Sequence, residues 1–346
     1  MDTRRLQTIG GGASFAVSLP KQWVEARGLH AGDEIAIEAR GDGELVLRGT
    51  TTNGKDSPQR LLTIRSSDAD EVLRSLIALY VSGFSTAAVD HSGSDPQAVR
   101  TGVGEACARL QGVQIVEEGS GRLILQDLSD TSGFDLDKGL RRAQILALQM
   151  VNNVGRILAG GGDSVYRETE RYEAELDRLV LLLLKQYTTC LQRWEFPPSI
   201  GTSPPEGLHA LFVAHYLERI GDYAMRASSF SQFLLQQPSS AVTETVQESL
   251  TELHGIVADA VKAFNARDAK LANSVIKRSA AFAPTSGRDR MFDVFTAPRS
   301  QPQLYSCHRC IKYFTLLESI ERIALYAKSI AEAAINRSML EPEKHA

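Results

Sequence analysis

Leu217-Glu218-Arg219-Ile220-Gly221-Asp222-Tyr223-Ala224 returns once in altered form, as Ile320-Glu321-Arg322-Ile323-Ala324-Leu325-Tyr326-Ala327. Glu, Arg, Ile, Tyr and Ala recur in one register, offset by 103 residues between Glu218 and Glu321. That period is too long for a solenoid unit and suits a duplicated helical domain. Both copies lie in long runs free of internal proline, so each is expected to be helical.

On such a helix Glu218 and Asp222 project from the same side, one turn apart, with His215 on the same strip. The apolar residues Leu208, Phe212, Tyr216, Ile220, Tyr223, Ala227 and Phe230 point elsewhere, so the acids flank the buried face. Two carboxylates at this spacing repel by a few tenths of a kcal/mol, which calls for a compensating cation. Arg226, four residues beyond Asp222, or solvent is one candidate; a hard metal ion held by oxygen ligands is the other. In the second copy Leu325 replaces the aspartate and leaves Glu321 with Glu318 one turn earlier.

A chain of 346 residues exceeds one ordinary core, so two or three domains are expected. Its 43% hydrophobic and 23% charged content is that of a soluble globular protein, and a net charge of −4 argues against coating nucleic acid or an anionic membrane with the whole surface. The glycines after Met1-Asp2-Thr3-Arg4-Arg5 do not resemble a signal peptide, and the aliphatic run 179–184 is far short of the ~20 residues of a membrane span. The expectation is a cytoplasmic protein without membrane insertion. Four cysteines do not make a disulfide framework. Cys307-His308-Arg309-Cys310 has C-x-x-C spacing but no second pair to complete a zinc set.

Residues 4–48 spell short strands around one brief helix. Strands are expected over 6–9, 14–19, 33–39 and 44–48, and a helix from Lys21 to Arg27, opened by Pro20 and ended by Gly28. Gly11 and Gly12, Val17-Ser18-Leu19-Pro20-Lys21, Trp23, Gly28-Leu29 and Gly32-Asp33-Glu34 resemble the SpoVT/AbrB (MazE-like) swapped-hairpin DNA-binding domain. The resemblance implies an interleaved homodimer and places promoter DNA contacts on Arg4, Arg5 and Lys21. Residues 1–27 carry a net +2, which a dimer would double, whereas residues 28–50 are acidic. The alternative is a dimerisation module without DNA affinity. Gly10 to Ser14 lacks the Gly-Lys-Ser/Thr of a phosphate loop.

Residues 49–59 form a polar, turn-rich linker, and 60–130 are expected to fold as a small βαβαββ unit whose sheet is covered on one side. Nothing in this spacer suggests a reaction centre. From Leu136 onward the pattern is helical: 136–158, 164–194, 208–235, 243–264, 268–283 and 305–337, with a proline-rich loop over 196–207. Three helices and three again make two bundles, over 135–238 and 241–338.

This body resembles the PhoU family, regulators of phosphate uptake built from two three-helix repeats. Glu218 and Asp222 carry its Glu-x-x-x-Asp mark, and Glu170, Glu173 and Asp177 in the 166–184 stretch resemble its second helix. The resemblance implies iron or zinc clusters on these acids, with Glu218, Asp222 and Glu321 as candidate ligands; Leu325 breaks the second pattern. Head and body together resemble archaeal phosphate-uptake regulators. The expected fold is multidomain α+β, with an AbrB-like head over 1–50. The expected function is a non-enzymatic, DNA-binding regulator of phosphate homeostasis. The alternative is an adaptor for a phosphate transporter or signalling kinase that never touches DNA. No nucleophile–base set is apparent, and the seven histidines are scattered.

Overall fold

The computed structural model describes residues 3–12, 14–26, 28–39, 43, 45–49, 60–129, 135–193, 203–235, 240–285 and 307–340. Most of the expected linker and proline loop, and the thiols of Cys307 and Cys310, fall outside what is described. By internal contacts the chain divides into two units, the described parts of Met1–Ser57 and of Pro58–Glu343.

The first unit holds β1 (Gln7–Ile9), a glycine turn over Gly10–Gly12, β2 (Ser14–Ala16), α1 (Lys21–Ala26), β3 (Ile35–Ala39) and β4 (Leu45–Gly49). Its strands form two antiparallel hairpins, Thr8 opposite Phe15 and Ile37 opposite Leu47. Gly10 and Gly11 take positive φ (65° and 69°), which lets three residues reverse the chain. Leu29 is buried, yet Leu6, Ile9, Phe15, Val17, Ile37 and Leu45 are each 49–68% exposed. Isolated two-stranded hairpins are marginal in water, and among the described residues of this unit Leu29 is the one buried hydrophobic.

The second unit begins with a sheet module: β5 (Arg60–Thr63), α2 (Ala69–Val81), β6 (Thr86–Asp90), α3 (Pro96–Arg109), β7 (Val113–Gly119) and β8 (Arg122–Asp127). Strand order is β5-β6-β8-β7, with β5 and β6 parallel and the other pairs antiparallel. Asp68 caps α2 through the Asp70 N–H (2.9 Å), and Asp95 caps α3, which opens on Pro96. Ala87, Val89, Leu123 and Leu125 alternate onto one sheet face and meet Val72, Leu76, Tyr80, Val99 and Val103 from the two helices. The βαβαββ order and one-sided cover agree with the sequence pattern.

Among the described residues six helices follow: α4 (Leu136–Arg156), α5 (Gly162–Arg193), α6 (Pro204–Leu235), α7 (Ser240–Ala266), α8 (Ala269–Thr285) and α9 (Cys307–Ser338). A π turn over Ile157–Gly161 joins α4 to α5, with Gly160 at φ 103°. Helix α6 starts at Pro204, earlier than the prolines suggest. Glu206 accepts from the Ser203 backbone N–H (3.4 Å) and hydroxyl (3.2 Å), which ties down the first turn, where proline is tolerated.

The two three-helix sets share one core, running from Leu136 to Ala334. Its centre is α6 packed on α9. Leu217 and Ile320, Ile220 and Ile323, and Ala224 and Ala327 are equivalent positions of the two copies, and all are fully buried. Tyr223 and Tyr326, also equivalent, stack at 5.9 Å between ring centroids. Each copy thus meets the other through its own counterpart, as an approximate twofold requires.

The sheet module sits on α5. Leu181 packs against its core, and Lys185 is buried against Asp127, donating also to Ser129 (3.1 Å) and lying 4.6 Å above the Tyr80 ring. Burial, then the Asp127 charge, pushes the Tyr80 phenol well above its usual range. Both side chains of the ion pair are under 10% exposed, so removing one partner strands the other charge. Lys185→Met is expected to cost about 3–5 kcal/mol in chemical denaturation, and pairing it with Asp127→Leu should recover much of that loss.

Candidate metal centre

The acids of α6 lie beside its buried stripe, but that stripe differs from the expected one. Ala210, Val213, Ala214, Leu217, Ile220, Ala224 and Ala227 are buried, whereas Leu208 and Phe212 are 45% and 47% exposed. Steps of four residues advance 400° and drift 40° each time, so a stripe read as 208, 212, 216, 220 walks off one face.

Glu218 and Asp222 face α5. Gly221 lies between them, and a Cβ there would come within 2.7 Å of Leu176 Cδ2. Glycine therefore lets α5 approach α6 at the turn that carries Asp177. As a result, ligand oxygens of Asp177, Glu218 and Asp222 lie within 4.8 Å of one another. Glu173, one turn before Asp177, feels the charges of both aspartates. Two Glu-x-x-x-Asp pairs on neighbouring helices thus make one acidic cluster. The pair on α5 is spelled in the sequence; only packing brings it to the pair on α6.

The electrostatics of the cluster are those of crowded carboxylates. Burial, then Asp222, and more weakly Asp177, push the Glu218 carboxyl up to about 7, against the pull of Arg219. Burial raises Asp222, with Arg219 and His215 opposing. Burial and Asp222 raise Asp177, with Arg109 and Arg219 opposing. Glu173 is raised by burial, then by Asp177 and Asp222. Arg219, rather than the candidate Arg226, supplies the near countercharge: Nη1 is 3.0 Å from Asp222 Oδ2 and Nη2 donates to Glu218 Oε1 (3.2 Å). Its Nε is 3.0 Å from Glu218 Oε2 but not aimed at it, and that buried oxygen has no hydrogen-bond donor. His215 Nδ1 is 3.5 Å from the same oxygen. Arg226 instead lies 4.0 Å from Glu318 on α9.

Glu321 is nearly buried on α9 and does not belong to this cluster. Its equivalent aspartate is Leu325, 42% exposed, and α8 contains no acid between Ala269 and Thr285. The second copy therefore lacks the facing pair that completes the first. The donor set of the first copy, all carboxylate oxygens with one left without a donor, fits a hard cation.

In the first unit Arg4 and Arg5 precede β1 and are exposed. Lys21 opens α1, its side chain 86% exposed and 3.6 Å from Glu25. Elsewhere, Cys107 is half-buried and Cys190 buried.

Comparison with known families bears on both units. Residues 140–230 match the PhoU domain. Its limits enclose α5 and most of α4 and α6, so the carboxylate cluster lies within the matched residues. Residues 11–54 match a second family, described as antidote-toxin recognition MazE, bacterial antitoxin. The crystal structure of PhoU from Pseudomonas aeruginosa is similar at a TM-score of 0.49 and 21% identity, over 58% of this chain and 93% of that one. No curated protein matches. None of the described helices is long and apolar enough to cross a membrane.

The raised carboxyl of Glu218 has a direct consequence. Its folded value near 7 exceeds the unfolded value of 4.5, so the folded chain binds this proton more tightly. Stability contributed by that proton is complete below pH ~4.5 and is lost as pH rises through ~7. Metal-free Glu218→Gln is therefore expected to gain stability over the parent chain as pH rises from about 5 to 8, by an amount of order 2 kcal/mol. Paired thermal melts across that range check it.

Proposed function

We propose that the chain is a dimeric, non-enzymatic regulator of phosphate homeostasis whose head binds promoter DNA and whose helical body holds a metal ion. In this reading it has four parts, over residues 1–50, 60–130, 135–238 and 241–338. The observation that carries it is the joining, in one chain, of a MazE-like segment and a PhoU domain. The exposed apolar strands of the head support dimerisation, since a second copy would cover Leu6, Phe15, Ile37 and Leu45. Arg4, Arg5 and Lys21 are the residues assigned to DNA phosphates, where lysine and arginine release counterions. Asp177, Glu218 and Asp222 are assigned to the metal, iron or zinc; Glu321 lies in the second repeat, outside this set. A bound ion would neutralise the repulsion within the cluster and so couple metal loading to the packing of α5 on α6.

The second reading is an adaptor that acts on a phosphate transporter or signalling protein without DNA. The acidic stretch after residue 28 and the net charge of −4 favour it. DNA binding separates the two. Arg4→Ala/Arg5→Ala/Lys21→Ala is expected to weaken DNA binding in gel shifts and to flatten its salt dependence by about one unit for each phosphate no longer neutralised. An unchanged slope would favour the adaptor.

The metal assignment is checked separately. Protein purified without chelators is expected to contain iron or zinc by elemental analysis, and Glu218→Gln/Asp222→Asn to have lost most of it. Equal contents would remove these acids from the site.

A further inference from the structure

We propose that Arg219 is a resident counter-ion of the carboxylate cluster, a guanidinium that an incoming metal ion must displace from Glu218 and Asp222. The inference rests on the metal reading above and adds what regulates that site.

The geometry is specific to this residue. Arg219 follows Glu218 directly and precedes Asp222 by three positions, so one side chain spans the helical turn between them. Its three guanidinium nitrogens lie 3.0–3.2 Å from oxygens of both carboxylates. Guanidinium has five donors, no acceptor and no accessible neutral form, so it cannot act as a ligand. It occupies the space in front of the oxygens a cation would use. Carboxylate oxygens bind hard cations at roughly 2.0–2.6 Å, and an ion at that distance would sit against the arginine's own charge. Both cannot stay.

The arginine has a way out and the acids do not. Its side chain is 41% exposed, against 18% for Glu218 and 34% for Asp222. Rotation about its own side-chain bonds would carry the charge outward along the exposed line of α6 that holds His215, Phe212 and Leu208. The acids, held between α5 and α6, would remain in place as ligands.

Two consequences follow for the same site. Monovalent cations, which cannot outbid a guanidinium seated on both carboxylates, are excluded. A multivalent ion that does load exchanges a tucked arginine for one extended beside an apolar strip. The loaded and empty forms would then present different outer surfaces on α6 to a partner.

The test is zinc binding by the full-length chain at neutral pH, followed by titration calorimetry, for the parent, Arg219→Gln and Arg219→Lys. Circular dichroism confirms that each variant is folded. Removing the competing charge is expected to tighten zinc binding by about tenfold or more in Arg219→Gln. Arg219→Lys, with one point charge in place of a fork, should fall between the two. Equal or weaker zinc binding in a folded variant, with binding intact in the parent, would overturn the counter-ion role and leave the metal reading standing. If neither parent nor variants bind zinc or iron, the metal reading fails and takes this inference with it. Should Arg219→Gln not fold, the lysine variant decides alone, by the same comparison.

Discussion

The packing of α6 against α9 is the contact on which the rest of the second unit depends. Each helix buries Leu/Ile, Ile and Ala at matching positions, and the equivalent tyrosines Tyr223 and Tyr326 meet at the interface. A helix has one face for this purpose. Once that face is committed to the other copy, Glu218 and Asp222 are left on the flank. What lies against that flank then determines their chemistry.

In the first copy the flank meets α5, and Gly221 removes the one atom that would hold α5 away. Asp177 enters, with Glu173 one turn before it, and four carboxyls are pushed above their ordinary values, all by burial and all but Asp222 also by neighbouring acids. In the second copy the same helical register meets a middle helix without acids, and Leu325 stands where an aspartate would. Among the described residues the two copies thus share a similar helix and differ in that one of them builds an acidic cluster. The divergence lies in a few side chains, because a bundle tolerates changes on its flanks more readily than in its shared core.

The sheet module joins this arrangement through α5 as well. Lys185 holds it at one end of the helix, and its Arg109 influences Glu173 and Asp177 farther along. Helix α5 therefore carries both the acids and the anchor.

Much of this was legible from the residues alone. Periodicity, capping aspartates and proline positions place the strands and helices to within a few residues, because these signals are local and act along one segment. The duplicated motif marks α6 and α9 as equivalent, and Glu218 with Asp222 as neighbours, since helical geometry alone puts them one turn apart. The facing of α5 and α6, the entry of Asp177, the choice of Arg219 over Arg226 and the place of Glu321 outside this cluster belong to tertiary structure. Each depends on how closely two helices approach and on how each is rotated about its axis. That is settled by the sum of many side-chain contacts distant in sequence, which no spacing within a single helix records.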